Sequence, residues 1–145
     1  MFAGSPYLTG NDDVEVEVRA WFLRYDEMLK ALALSSRSDN GQILPFYSVP
    51  SSILGPKADM VMLSPAAIAG YGGVGARLDQ FRRDGFESST IVSLVIRLVN
   101  RRAAIVEASW ERRYEGGQAS VVGAVYAVSR SPEGWRITTV LSQLD

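Results

Sequence analysis

The sequence predicts an α+β domain, and three observations carry that prediction. Apolar residues recur with a helical period only as far as about Asp84, four long β-branched segments follow, and the turns between those segments are short. Short turns join antiparallel neighbours, so the second half of the chain is a meander and not a parallel sheet. With 145 residues, 47% hydrophobic and 21% charged, the chain has the length and composition of a single domain spanning residues 1–145.

Residues 1–11 read as a loose N-terminal arm, because Gly, Ser and Pro interrupt them. Asn11-Asp12-Asp13 then supplies a helix N-cap, and Asp12 precedes Glu15 with capping-box spacing. Val14, Val18, Phe22, Tyr25, Leu29 and Leu32 keep helical spacing, widened by Trp21 and Met28, while Glu15, Glu17, Arg19 and Lys30 fall off that stripe. The polar stretch Ser35–Gln42 is expected to be a loop. Two short strands, around Phe46–Leu54 and Met60–Leu63, are separated by the Gly55-Pro56 turn. Ser64-Pro65 pairs an N-cap with proline at the first helical position and starts a second helix, which runs to about Asp84 and stops at Gly85. Its inner stripe is Ile68, Tyr71, Gly72, Gly75, Leu78 and Phe81. The meander strands are Ser89–Val99, Ala103–Tyr114, Ala119–Arg130 and Trp135–Leu144.

The chain has no Cys and no His. Thiol nucleophiles, disulfides, Ser-His-Asp relays, zinc on nitrogen or sulfur ligands, and haem held by His or Cys are thereby excluded. No carboxylate spacing suits a hard metal ion. Gly70–Gly75 matches G-x-G-x-x-G, but it lies within a predicted helix and outside any βαβ unit, which argues against a dinucleotide site. Its glycines instead permit close helix-to-sheet approach or leave pocket volume; the alternative is a broken helix start. No metal and no cofactor are expected. A net charge of −1 and a pI near 5.5 argue against a nucleic-acid partner. Arg101-Arg102 and Arg112-Arg113 read as solvated charge or as an anion-attracting rim. No segment approaches the roughly 20 apolar residues of a membrane span, and the opening residues do not form a signal peptide, so a cytoplasmic protein with no membrane partner is expected.

Tight hairpins without bulges set a register. Arg102 pairs with Val99, which places Glu107 opposite Leu94 and, across the Gly116-Gly117 turn, opposite Tyr126. Tyr126 then faces Thr139, and Val128 faces Ile137. One sheet face carries Leu94, Ile96, Ile105, Tyr126, Val128 and Ile137, with Glu107 among them and Ser109 further along its strand; this face packs on the helices. The other, with Val95, Val106, Ala108, Trp110, Val125 and Val140, is too apolar for water and predicts a homodimer interface.

An aromatic N-terminal helix from Trp21 to Leu29, the proline-interrupted Phe46–Pro50, Asp84-Gly85-Phe86, Trp110–Tyr114, Tyr126 and Gly134-Trp135-Arg136-Ile137 follow one another in an order that resembles the nuclear transport factor 2-like superfamily, with its SnoaL-like and steroid isomerase-like relatives. The resemblance covers about Asp12 to Leu144. It implies a cone: a strongly curved antiparallel sheet wrapped around the N-terminal helices, a pocket at its open end, and often a homodimer joined through the sheet. Tyr25 resembles the helix tyrosine with which steroid isomerases hydrogen-bond a substrate oxyanion. Those enzymes also need a carboxylate base after the first strand, where Val49-Pro50-Ser51-Ser52 holds no acid.

On the bulge-free register Glu107 is the candidate acid or base, because an apolar setting disfavours an ionised carboxylate. Tyr25 and Tyr126 would steady a developing oxyanion. The alternative is a bulge that leaves Glu107 in water or paired with an arginine. Trp21, Tyr47 and Phe81 join the two tyrosines as aromatic lining of an apolar cavity, or as plain core. Tyr71, Gly72 and Gly75 on the second helix, with Leu94 and Ser109 on the strands, complete the predicted ligand-binding set. Two functions follow. One is binding of a small apolar molecule with cofactor-free proton transfer, as in an isomerase, dehydratase or cyclase; the other is a non-catalytic homodimeric module with a vestigial cavity. A cavity of several hundred Å³ that includes Glu107 favours the first, and one plugged by Tyr25, Phe81 and Tyr126 the second.

Overall fold

The computed structural model describes Tyr7 and residues 12–143. The rest of the N-terminal arm, the Asn11 cap and the expected strand end at Leu144 lie outside the described residues. Helix α1, Asp12–Ala33, buries Val14, Val18, Phe22, Tyr25, Leu29 and Leu32, as the periodicity predicts. Asp26 is buried on the same helix, because Trp110 donates its indole N–H to one carboxylate oxygen at 2.9 Å. The expected polar loop is instead a 3-10 segment, Arg37–Phe46. It is tied to the next helical region by Arg82, whose Nη2 donates to the Asn40 side-chain oxygen and to the Leu32 carbonyl, each at 2.7 Å.

Strands β1 (Tyr47–Leu54) and β2 (Asp59–Met62) form the short hairpin. The predicted second helix is two helices, α2 (Pro65–Ala69) and α3 (Val74–Arg83). Ser64 caps α2 by accepting the Ala67 N–H at 3.1 Å. The break at Gly70–Gly73 turns the chain so tightly that a Cβ on Gly75 would stand 2.0 Å from the Ala69 carbonyl oxygen. Close approach of two backbones is what Gly70, Gly73 and Gly75 serve, whereas Gly72 has open space around it.

Strands β3 (Phe86–Asn100), β4 (Ala103–Tyr114), β5 (Ala119–Ser131) and β6 (Gly134–Ser142) are the antiparallel meander. β1 lies parallel to β6, so the six strands form a mixed sheet in the order β2-β1-β6-β5-β4-β3. It is open, with β2 and β3 as edges, and not an antiparallel sheet wrapped into a cone.

The register differs from the bulge-free one at both hairpins of β4. The first closes at Asn100↔Ala103, and Val99 then bulges out, so that Leu98 pairs with Ala104 and Val95 with Glu107. The second closes with a three-residue loop: the Tyr114 N–H bonds the Gln118 carbonyl at 3.0 Å, while Gly116 and Gly117 take φ of +92° and +82°. Glu107 therefore faces Val125 and Tyr126 pairs with Val106, while a separate shift between Ala127 and Val128 sets Tyr126 opposite Val140 in place of Thr139. Val128 does pair with Ile137, as predicted. One residue of slip moves every side chain of a strand to the opposite face. Val106, Ala108, Trp110 and Val140, assigned above to the homodimer face, are core; Ile105, Glu107 and Ser109 point away from it. The core lies between α1, α3 and the inner sheet face, where the Phe22 and Tyr126 rings meet edge-on at 5.1 Å.

Candidate functional site

A cavity of about 110 Å³ lies between α1, α3 and the inner face of β4–β6. Three tyrosine hydroxyls meet at it. Tyr25 arrives on the buried stripe of α1, Tyr47 as the first residue of β1, and Tyr126 from the inner face of β5. The Tyr25 and Tyr47 hydroxyl oxygens are 2.8 Å apart, and the Tyr126 ring meets that of Tyr25 edge-on at 5.8 Å. Burial raises all three above the ordinary phenol range, reinforced by the neighbouring hydroxyl of the same cluster. All three are therefore neutral, hydrogen-bearing groups at physiological pH. Leu29, Ile53, Val74, Val122 and Val140 give the cavity apolar walls.

The charged lining comes from two elements. Arg77 and Gln80 are on α3 and Asp84 is its C-cap; Arg77 donates to the Ser142 hydroxyl at 2.8 Å and Gln80 to the Asp84 carboxylate at 2.8 Å. Gln80 and Asp84 are exposed and mark the solvent side. Trp110, Arg112 and Tyr114 come from alternate positions of β4. Arg112 is only 6% exposed, with its guanidinium carbon 4.7 Å from the Phe81 ring centre and 4.9 Å from that of Trp110.

Of the residues singled out in the sequence, Tyr25, Tyr47, Phe81 and Tyr126 line this cavity. Glu107 does not. It is on the outer face, ion-paired with Arg97, and 42% of its side chain is exposed. Ser109 shares that outer face, and Leu94 packs on the core away from the cavity. Trp21 is core, stacked on Tyr25 and tilted against Phe46. Tyr71 and Gly72 are exposed where the helix breaks, with Arg37 donating to the Tyr71 hydroxyl, and Gly75 is packed against the Ala69 backbone.

The sequence reading missed Arg77, Gln80, Asp84, Trp110, Arg112 and Tyr114. Signals for them exist: Arg77, Gln80 and Asp84 keep one helical stripe, and Trp110, Arg112 and Tyr114 share one strand face. Among the described residues, no group of three or more carboxylates is placed to hold a metal ion, and no helix is long and apolar enough to cross a membrane.

An α1 helix laid on a mixed six-stranded sheet, with a cavity enclosed between them, defines an α+β domain of the NTF2-like type. Residues 14–145 match the family described as NTF2-like protein (DUF6841), and the chain belongs to that family. No curated protein matches it. Among solved structures it is similar to a DUF3225-family protein of unknown function from Pectobacterium atrosepticum, at 18% identity over 96% of this chain and 98% of that one, with a TM-score of 0.67. An NTF2-like superfamily protein from Salmonella enterica is similar at 17% identity, covering 94% and 95% of the two chains, with a TM-score of 0.60. An NTF2-like protein of unknown function from Pseudomonas putida is similar at 12% identity, covering 92% and 87%, with a TM-score of 0.66. At these identities the likeness establishes the fold alone.

Proposed function

We propose that this domain binds a small, largely apolar molecule in the cavity between α1, α3 and the inner sheet face. The observation that carries the reading is the tyrosine cluster. Tyr25 and Tyr47 share one hydrogen bond, in which only one of the two hydroxyls donates to the other, so one phenolic donor of this buried pair is left over. An unmet buried donor costs about 1–3 kcal/mol, and an acceptor atom on a bound molecule recovers it. At about 110 Å³ the cavity falls below the roughly 300 Å³ at the low end of drug-sized pockets, which favours a compact ligand over a steroid skeleton. Proton transfer by Glu107 has no part in this reading, because its carboxylate is on the opposite face of the sheet.

Native mass spectrometry of the purified protein, followed by NMR titration with small organic fragments, tests the reading. Added mass or selective shifts at Val122, Tyr126 and Val140, abolished when Val122→Phe fills the cavity, are the expected result. No shift with any fragment at millimolar concentration would overturn it.

A second proposal concerns the outer sheet face. Val95, Val121 and Leu141 remain exposed there, around the Arg97–Glu107 pair, and this favours a homodimer joined through the sheet. Sedimentation should show a dimer at high micromolar concentration; a monomer removes the interface.

A further inference from the structure

We infer that the ligand carries one negative charge, as a compact carboxylate, and that Arg112 is the group that recognises it; this rests on the cavity being a binding site. Arg112 is 94% removed from solvent by the surrounding protein, being 6% exposed, and its Nε–H is buried with no hydrogen-bond partner. Burying a guanidinium is costly unless its N–H groups are met. Phe81 and Trp110 attract the charge with their rings but accept none of its in-plane hydrogens.

The buried carboxylate on α1 does not serve either. Asp26 lies with Arg112 beside Phe81 and Phe86, but one of its oxygens accepts from Trp110 at 2.9 Å and the other faces Lys30 Nζ at 3.4 Å. Among the described residues no ion pair to Arg112 is formed. A buried cation with no ion-pair partner among the described residues is thus part of the wall of a cavity.

Charge balance selects the ligand class. The charged residues lining the cavity are Arg77, Arg112 and Asp84, and Asp84 already accepts from Gln80. The three tyrosines are neutral, so the lining carries one net positive charge. A monoanion balances it, whereas a phosphate dianion would leave a surplus in a space of about 110 Å³. The planar fork of a guanidinium matches a carboxylate, and the spare phenolic donor at the tyrosine cluster suits a further acceptor oxygen. Arg112, Tyr25 and Tyr126 all line this cavity, so the two polar features belong to one site. The valine and leucine walls leave the rest of the ligand apolar.

The test compares acids with their uncharged amides in calorimetry and in NMR of the cavity residues: benzoate against benzamide, and butyrate against butyramide. Wild-type protein is expected to prefer each acid over its amide by at least about tenfold. In Arg112→Met the preference should fall to about twofold or less, and Arg112→Lys should restore part of it, since the charge returns without the fork. Equal binding of acid and amide to the wild type, or an unchanged preference in Arg112→Met, overturns this inference while leaving the cavity reading intact. Failure of acids and amides alike to shift the cavity resonances removes both. If Arg112→Met does not fold, the wild-type comparison decides alone.

Discussion

Glu107 and Arg112 are on the same strand and have opposite surroundings. Glu107 points to the outer face, half in water, with Arg97 as its ion-pair partner. Arg112 points inward between two aromatic rings, and its Nε–H is unmet. A charge on the solvent side has water to stabilise it, so its protein partner adds little; a charge on the core side depends wholly on what the protein or a ligand offers.

The sharpest way to break this contrast is to truncate neighbours on opposite faces of β4. Trp110→Ala should cost about 3–5 kcal/mol, since it empties core volume and leaves Asp26 without its indole donor, whereas Ser109→Ala should barely move the urea midpoint. Similar losses for both would mean that the two faces are not distinct.

Alkaline pH gives the next largest effect. The folded-state values of Tyr25, Tyr47 and Tyr126 are raised above the ordinary 10.0, so the native state holds those protons more tightly than the unfolded chain. Stability is then fully present below about pH 10 and falls as the pH rises beyond it. Absorbance at the tyrosinate band should show these three phenols ionising only as the protein unfolds. Free titration of all the tyrosines in a folded protein would contradict the buried cluster.

Tyr126→Phe should be milder, at about 1 kcal/mol, because it removes one hydroxyl without emptying the site. Weaker fragment binding in the same variant would tie the cluster to the ligand. Glu107→Gln should produce the smallest change, close to the limit of a thermal melt, and should leave fragment binding untouched. A large loss of binding there would restore Glu107 to the cavity and defeat the contrast.

The elements were largely legible in the sequence because each has a local cause. Ser64-Pro65 starts α2 where a cap and a proline say it should, the 3.6-residue stripe of α1 runs from Val14 to Leu32, and β4 spans Ala103–Tyr114 as its pattern and turns predict. Which face of β4 meets the core was not legible, for a reason of parity. The Val99 bulge and the three-residue loop Glu115–Gly117 each insert one residue that pairing rules alone do not reveal. Both bound β4, so the strand is inverted against both of its neighbours at once. Arg112 went from rim to interior by the same step that carried Glu107 out. On the helical side, nothing in Gly70–Gly73 says whether the helix bends or stops, and that choice decides whether Tyr71 lines a pocket or stands in solvent.

The hydrogen-bonded pair within the tyrosine cluster has a consequence of its own. Each phenol can give and receive, and the 2.8 Å contact between Tyr25 and Tyr47 suits either as donor. The Tyr25–Tyr47 pair can run in either direction without displacing a carbon or an oxygen. Run one way, the unspent hydrogen sits on Tyr47; run the other way, it sits on Tyr25. Such a polar end is reversible: an incoming acceptor atom chooses its own donor by reorienting two hydrogens, and the surrounding framework stays rigid.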